Sequence, residues 1–348
     1  MRTTAPASPS TRLDRRRFLR MGLAGSAALG LAAHWTPLTA FADELHDFIR
    51  GPAVPDIAPT RLSDHVWMIW SKDGFPTPEN QGMMSNITFA VTRKGVVMLD
   101  PGGSVQIGEM ALRMIRTVTD KPVVAIFNTH YHGDHWLAND AFEAAFGKDL
   151  PIYAHPVTKR EIEGVQGNLW RSLMARWTNQ ATAGTRIVAP NRTVEHGAEF
   201  DFGDVTLRIH HYGIAHTPGD ICIEVVQDQL THVGDIAMDR RIANMDDGSY
   251  VGTFRAYDAL EKNTASRIWV PGHGHPGVDV LNWNRALFEG IYENCVQAVE
   301  AGRDIASARE AVLKDPRVST RAADTQGFES NIGKYVSLAY LEAEKEAF

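Results

Sequence analysis

Cysteine is almost missing from this 348-residue chain, which has only Cys222 and Cys295. Two thiols so far apart build no disulfide framework, and neither sits in a metal-ligand spacing. Their pairing stays open at this level, with two small buried apolar residues as the preferred reading. Positive charge is also in short supply, with 35 Lys and Arg against 42 Asp and Glu, a net of −7. That balance argues against nucleic acid or anionic membrane as a partner. No apolar run after residue 42 approaches the ~20 residues that a bilayer span needs. There is no internal repeat, and no Gly-x-Ser-x-Gly elbow that would mark a serine nucleophile.

The first 42 residues read as an address. Asp14-Arg15-Arg16-Arg17-Phe18-Leu19-Arg20 fits the twin-arginine export pattern. A short Gly/Ala-rich apolar stretch, Met21 to Ala33, follows, and Ala40-Phe41-Ala42 is a small-x-small cleavage site. The expectation is export through the twin-arginine translocase, cleavage after Ala42, and a periplasmic mature protein without stable membrane insertion. Removal of residues 1–42 takes away six Arg and one Asp, leaving 29 basic against 41 acidic residues, net −12. The 306 residues that remain can bury one large core.

Residues 43–60, with Pro52, Pro55 and Pro59, look like an extended lead-in to a single domain over 61–348. Strand-like runs cover His65–Trp70, Asn86–Thr92, Val96–Leu99, Val123–Phe127 and Pro151–Ala154. Ser104 can cap a helix to about Val118, and a second helix should run from Trp136 to Phe146. Residues 156–180 read as helical, with Leu169, Trp170, Leu173, Met174 and Trp177 as an apolar stripe. The preferred reading packs that stripe on the core; the other makes it a wall of a substrate cleft. The second half repeats the grammar: strands at Val205–His211, Ile221–Val226, Leu230–Val233 and Arg267–Val270, then helices at Tyr250–Lys262, 279–300, 305–314 and 331–345. Two sheet-containing halves flanked by helices predict an α/β protein, a four-layer α/β/β/α sandwich with loops along one edge.

The chemistry concentrates at Thr129-His130-Tyr131-His132-Gly133-Asp134-His135, directly after the apolar run Val123–Phe127. Imidazole and carboxylate suit Zn²⁺ and neighbouring transition metals. These donors are too crowded for one tetrahedral ion. A curled loop can give His130 and His132 to one ion, while Asp134 and His135 face another. Three further loops offer single donors beside Gly or Pro: His216, Asp235 and His273.

With these motifs in place the chain resembles the metallo-β-lactamase-fold hydrolases, whose His-x-His-x-Asp-His signature is His130, His132, Asp134 and His135. The resemblance runs from about residue 62 to 300. It implies one metal on His130, His132 and His216, a second on Asp134, His135 and His273, and Asp235 bridging both. It also implies that Asp100 braces the ligand loop from outside; capping of that loop without a metal role is the equal alternative. True β-lactamases of this fold carry Cys or Ser where Asp235 stands, so the chain looks more like thioester and lactone hydrolases of the glyoxalase II type. Its loop sequences and leader look most like the SoxH-like or quinoprotein-relay-system group.

The implied cofactor is two Zn²⁺ per chain, with iron or manganese as substitutes. Two cations ~3.5–4 Å apart would hold a bridging hydroxide that attacks the carbonyl of a small-molecule thioester, ester or lactone, with Asp134 or a metal-bound water returning a proton to the leaving group. The rivals are an iron oxidoreductase resembling persulfide dioxygenases, β-lactamase activity, and a non-catalytic module that keeps its metals for structure. Tyr131 and Tyr212 could each stabilise an oxyanion, though packing is the commoner role. His275 is expected in solvent, and His232 carries no signal.

Overall fold

Continuous apolar runs and alternating ones divide the strands between two environments. In the computed structural model, which describes residues 49–242 and 244–347, the first sheet has seven strands in sequence order: β1 (Thr60–Arg61), β2 (Val66–Ile69), β3 (Ile87–Val91), β4 (Val96–Leu99), β5 (Val123–Phe127), β6 (Ile152–Ala154) and β7 (Arg192–Thr193). β1 to β4 pair antiparallel, whereas β4 to β7 run parallel. β3, β4 and β5 are buried on both faces, which is why they read as unbroken runs of Val, Ile, Phe and Met. The second sheet contains β8 (Glu199–Asp201), β9 (Thr206–His210), β10 (Cys222–Val225), β11 (Leu230–Gly234) and β12 (Ile268–Pro271), in the order β12-β11-β10-β9-β8. In β9, Leu207 and Ile209 turn inward while Thr206 and Arg208 are partly exposed, a half-buried alternation.

The sheets face each other across a core that includes Val66, Leu99 and Phe127 from the first and Leu207, Ile223 and Val270 from the second. On the outer face of the first sheet, Ile107, Met110 and Met114 of the helix Val105–Val118 pack over Phe89, Met98 and Ile126. Ser104 caps that helix by accepting from the Ile107 N–H at 3.2 Å. Over the second sheet, Tyr257 and Leu260 of the helix Tyr250–Asn263 pack with Val233 and Trp269. Helix, sheet, sheet and helix make the expected α/β/β/α sandwich. The C-terminal helices add a further cluster, in which Leu287 and Ile291 meet Ile332 and Val336.

Several details differ from the sequence expectation. The stretch 156–180 is two helices, Pro156–Glu163 and Val165–Trp177, broken at Gly164, whose ψ of −134° lies outside the helical range. The helix expected from Trp136 begins as a single turn, Gly133–Trp136, followed by Asn139–Phe146. A short helix at Pro316–Ala322 and the strands β1, β7 and β8 were not anticipated; the strands are two or three mostly exposed residues and the helix buries only Val318, so neither leaves a periodic signal. Cys222 and Cys295 are both free and buried. The expected leader and cleavage site lie outside the described residues; within them, no helix is long and apolar enough to cross a membrane.

One consequence concerns the core between the sheets. Phe127 has no exposed surface and stacks with Tyr153 at 4.9 Å and edge-on with Phe200 at 5.0 Å. Phe127→Ala should cost about 3–5 kcal/mol. Chemical denaturation should therefore show a lower midpoint at unchanged slope; a midpoint within experimental error of the parent would contradict this packing.

Candidate metal centre

Parallel pairing explains why the donors meet. Leu99 of β4 and Phe127 of β5 are register partners, and so are Gly234 of β11 and Pro271 of β12. Each parallel pair therefore releases its two loops at the same sheet edge. Asp100 and His130 follow the first pair, Asp235 and His273 the second, and His216 comes from the loop between β9 and β10. The seven predicted donors assemble into two groups: His130, His132, His216 and Asp235, and Asp134, His135 and His273, all buried.

Hydrogen bonds on the outside of the rings decide which nitrogen faces inward. His135 Nδ1 lies 2.9 Å from the Asp100 carboxylate, and His273 Nδ1 lies 2.7 Å from the Met84 carbonyl. Both partners only accept, so both Nδ1 atoms carry the proton. Thr129 Oγ1 donates to Asp100 at 2.7 Å and so accepts from His130 Nδ1 at 2.9 Å. In the neutral rings the Nε2 atoms of all three imidazoles are left as lone pairs pointing into the site.

Those lone pairs face carboxylate oxygens. Asp235 Oδ2 lies 3.3 Å from His135 Nε2, 3.3 Å from His273 Nε2, 3.5 Å from His216 Nε2 and 3.7 Å from His130 Nε2. Asp134 Oδ2 lies 3.3 Å from His135 Nε2 and 3.2 Å from His273 Nε2. His132 Nδ1 and His216 Nε2 lie within hydrogen-bond distance at 2.9 Å, the donor being set by the tautomer. A neutral Nε2 lone pair turned on a carboxylate oxygen is repelled unless a cation stands between them. Donors around a tetrahedral zinc, each about 2.0–2.1 Å from the ion, sit roughly 3.3 Å apart, close to the spacing of these atoms. His130 Nε2, Asp134 Oδ2, His135 Nε2 and Asp235 Oδ1 are buried with no hydrogen-bond partner. The residues fit a pair of metal ions.

The carboxylates draw positive charge into the site. Burial disfavours charge on His135, but Asp235, Asp134 and Asp100 around it outweigh burial and push its pKa well above the ordinary imidazole value, so the ring takes up a proton unless a metal ion supplies that charge. Burial also works against the Asp235 carboxylate, yet His135 and His273 hold it well below the usual range. His216, buried beside His132, is depressed to about 3, so it presents a neutral ring.

The support around the donors was only partly legible in the sequence. Asp100 fastens the ligand loop and one donor ring: Oδ1 accepts from the Thr129 N–H at 2.8 Å, and Oδ2 takes the Thr129 hydroxyl and His135. His232, which carried no sequence signal, adds a contact to Asp100 at 3.1 Å. Asn86 was missed as well. Its side chain donates to the carbonyls of Pro271 and Gly274 at 3.0 and 2.8 Å, and its backbone N–H donates to Gly272, so it fastens the His273 loop. Asp220 accepts three donors from His216 and Thr217 and shapes the His216 loop, although burial raises its pKa to about 7.

Other candidates settle elsewhere. Tyr131 is packed, with its carbonyl accepting from Trp136 Nε1 and its hydroxyl turned to Asp247; Tyr212 bonds His210 and Asn263 away from the donors. His210 pairs with Glu224, and His211 stacks on His155. His275 is exposed against Trp70. The stripe on the helix Val165–Trp177 is a correction to the preferred reading. Met174 is buried in the core and Trp177 packs partly against it, while Leu169, Trp170, Leu173 and Trp177 line a cavity of about 770 Å³ that also reaches His132.

Residues 80–287 match a family model described as the metallo-beta-lactamase superfamily. A hydroxyacylglutathione hydrolase of Rhizobium etli is 26% identical over 229 residues, which are 64% of this chain and 66% of that relative. The chain thus spans just under two thirds of that relative's length. Among solved structures, a metallo-beta-lactamase from Pontibacter korlensis aligns with a TM-score of 0.52 at 20% identity, covering 67% of this chain and 99% of its own. An inverting sec-alkylsulfatase from Pseudomonas sp. aligns at 0.66 with 15% identity, covering 86% of this chain and 54% of its own. At such identities the likeness is one of fold.

Two substitutions test the centre itself. Asp100→Asn retains a residue type that tolerates the left-handed φ of +59°. It should leave the far-ultraviolet circular dichroism intact while weakening metal affinity about 10–100-fold in chelator competition. At Gly272 an added Cβ would stand 2.1 Å from Asp235 Oδ1 and 2.6 Å from His135 Cε1. Gly272→Ala should accordingly lower the bound metal content; full loading of that variant would refute this arrangement of the donors.

Proposed function

The chain belongs to the metallo-β-lactamase superfamily, and on that footing we propose that it is a dinuclear zinc hydrolase that cleaves a thioester, ester or lactone. One observation carries the reading: a single oxygen, Asp235 Oδ2, stands 3.3–3.7 Å from imidazole nitrogens of both donor groups, as a bridging carboxylate would. A structural metal site is typically closed and mononuclear, whereas these donors fall into two groups that border a large cavity, which supports a double site. The hydrolase relative supports the reaction class.

His130, His132 and His216 would hold one ion and Asp134, His135 and His273 the other, with Asp235 shared. Bound there, the two cations would polarise a carbonyl and lower the pKa of water toward about 7. The chain's own residues supply the rest. The outer hydrogen bonds of His130, His135 and His273 hold the rings at fixed rotation, so the site needs no rearrangement on binding. Asp134 is ionised, because His135 and His273 outweigh the opposing effect of burial. It can therefore take the proton that water sheds as the new C–O bond forms. The same proton returns to the sulfur or oxygen of the leaving group as the C–S or C–O bond breaks. No serine or cysteine nucleophile enters this scheme, in keeping with two buried thiols whose pKa burial raises.

We further propose export by the twin-arginine route, supported by Arg15-Arg16-Arg17-Phe18-Leu19 and the Ala40-Phe41-Ala42 cleavage pattern. That route carries folded chains, so a metal could be inserted before export.

Metal analysis of the purified protein should find about two zinc ions per chain, and His132→Ala should abolish turnover across a panel of thioesters and lactones. Redox-active iron with oxygen uptake on persulfides would replace this reading with the oxygenase one. Inertness of fully loaded protein toward every substrate would favour a binding role. For export, the N-terminal sequence of the secreted protein should begin at Asp43, and paired Arg15→Lys and Arg16→Lys changes should retain the precursor inside the cell.

A further inference from the structure

The cavity beside the metal centre has two unlike walls. One is apolar: Phe75 from the loop after β2, and Leu169, Trp170 and Trp177 from the helix Val165–Trp177. Phe75 is 55% exposed and Leu169 45%, both at the rim of this cavity, so the wall offers apolar surface that no other part of the described chain covers. The opposite wall is polar and comes from the segment around Arg241 and from the helix Phe328–Ala347, with Asn331 and Lys334 among its residues.

The charges on the polar wall already have partners, with one exception. Lys334 is paired with Asp246 at 2.5 Å. Asp247 faces the Tyr131 hydroxyl and approaches His132 Nε2 at 3.9 Å. Arg241 is the exception. Its polar neighbour is His273 Nδ1, and no carboxylate among the described residues lies within 4.0 Å of its guanidinium. That neighbour cannot serve as its acceptor. His273 Nδ1 already donates its proton to the Met84 carbonyl at 2.7 Å, so the guanidinium N–H meets another N–H. The nearest balancing charges, Asp134 and Asp235, are the carboxylates committed to the metal ions.

A half-buried guanidinium that lines the cavity with no carboxylate beside it can receive an anionic group through charge-assisted hydrogen bonds. The backbone keeps it in place regardless: Arg241 bridges to Gln326, whose N–H donates to the Arg240 carbonyl at 2.8 Å. Arg241 stands on the His273 side of the centre, and Trp170 stacks obliquely on His132 at 4.7 Å on the other side. We propose that the substrate is an amphiphilic anion, with an apolar group on the aromatic wall and an oxyanion, a carboxylate or sulfonate-like group, received by Arg241. A guanidinium fork suits either oxyanion, since both can offer two oxygens to its paired N–H groups. This specifies the substrate class of the hydrolase reading and rests on it for the position of the scissile bond.

Binding of non-hydrolysable probes separates the two claims. Octanesulfonate, octanoate and neutral octanol would be titrated into the metal-loaded protein, followed by calorimetry and by tryptophan fluorescence. The two anions should bind at least about tenfold more tightly than octanol. Arg241→Gln should reduce that preference to less than about twofold while octanol affinity and metal content stay at parental values, and Arg241→Lys should restore part of it. Trp177→Ala should weaken all three probes alike. Equal affinity of the parent for octanol and the anions would overturn the proposal, as would an anion preference that survives Arg241→Gln. Loss of metal from Arg241→Gln would also overturn it, by making Arg241 a support of His273. A preference for octanoate alone would assign the anion to the metals instead. Turnover does not enter these measurements, so a protein that binds anions as described but hydrolyses nothing would sink the hydrolase reading and leave the anion site standing.

Discussion

Asp100 is the interaction on which the rest hangs. A carboxylate without solvent exposure receives the Thr129 backbone and hydroxyl, His135 Nδ1 and His232 Nε2. Those groups come from the loop after β5 and from β11, so one side chain ties the two sheets together at the edge where the donors gather. Burial alone would raise its pKa. The two imidazoles reverse that and bring it down to about 2, which keeps the carboxylate charged at any ordinary pH. A charge this deep is stable only because both of its oxygens are hydrogen-bonded. The same bonds set His135 and, through Thr129, His130 with their lone pairs inward.

Much of this was legible before any coordinates. Seven donors at strand ends beside Gly or Pro could be picked out because such residue types, in that order, have no packing explanation. Buried strands such as β4 and β5 announced themselves through unbroken apolar runs. What escaped was whatever depends on contacts distant in the chain. His232 sits inside an apolar strand, and nothing nearby says that its ring meets a carboxylate 132 positions earlier. Asn86 works through carbonyls near residue 272, and the position of Arg241 beside His273, away from any carboxylate partner, emerges only in three dimensions. The aromatic stripe on Val165–Trp177 illustrates a different limit. Helical spacing shows that a face is apolar, but not whether protein or ligand covers it.

The centre and its cavity are built from different parts of the chain. The seven donors all fall within residues 80–287, the stretch matched to the superfamily, and so do the hydrogen-bond partners behind their rings. The cavity draws as well on Phe75 before that stretch and on Ser330, Asn331, Lys334 and Tyr335 after it. The frame that organises the donors is stiff and internally bonded, whereas the surfaces that would meet a ligand sit on a loop and on a helix packed against Val280–Glu300.

The helix Phe328–Ala347 carries none of the donors, yet its apolar face shares a cluster with Met238, Ile242, Met245 and Tyr250, and Glu342 accepts from Ser249 and Tyr250. Its cavity-facing side chains can change without touching the donors, whereas its buried face cannot, because that face also covers the segment that follows Asp235. One terminal element thus combines a variable outer surface with a fixed inner one.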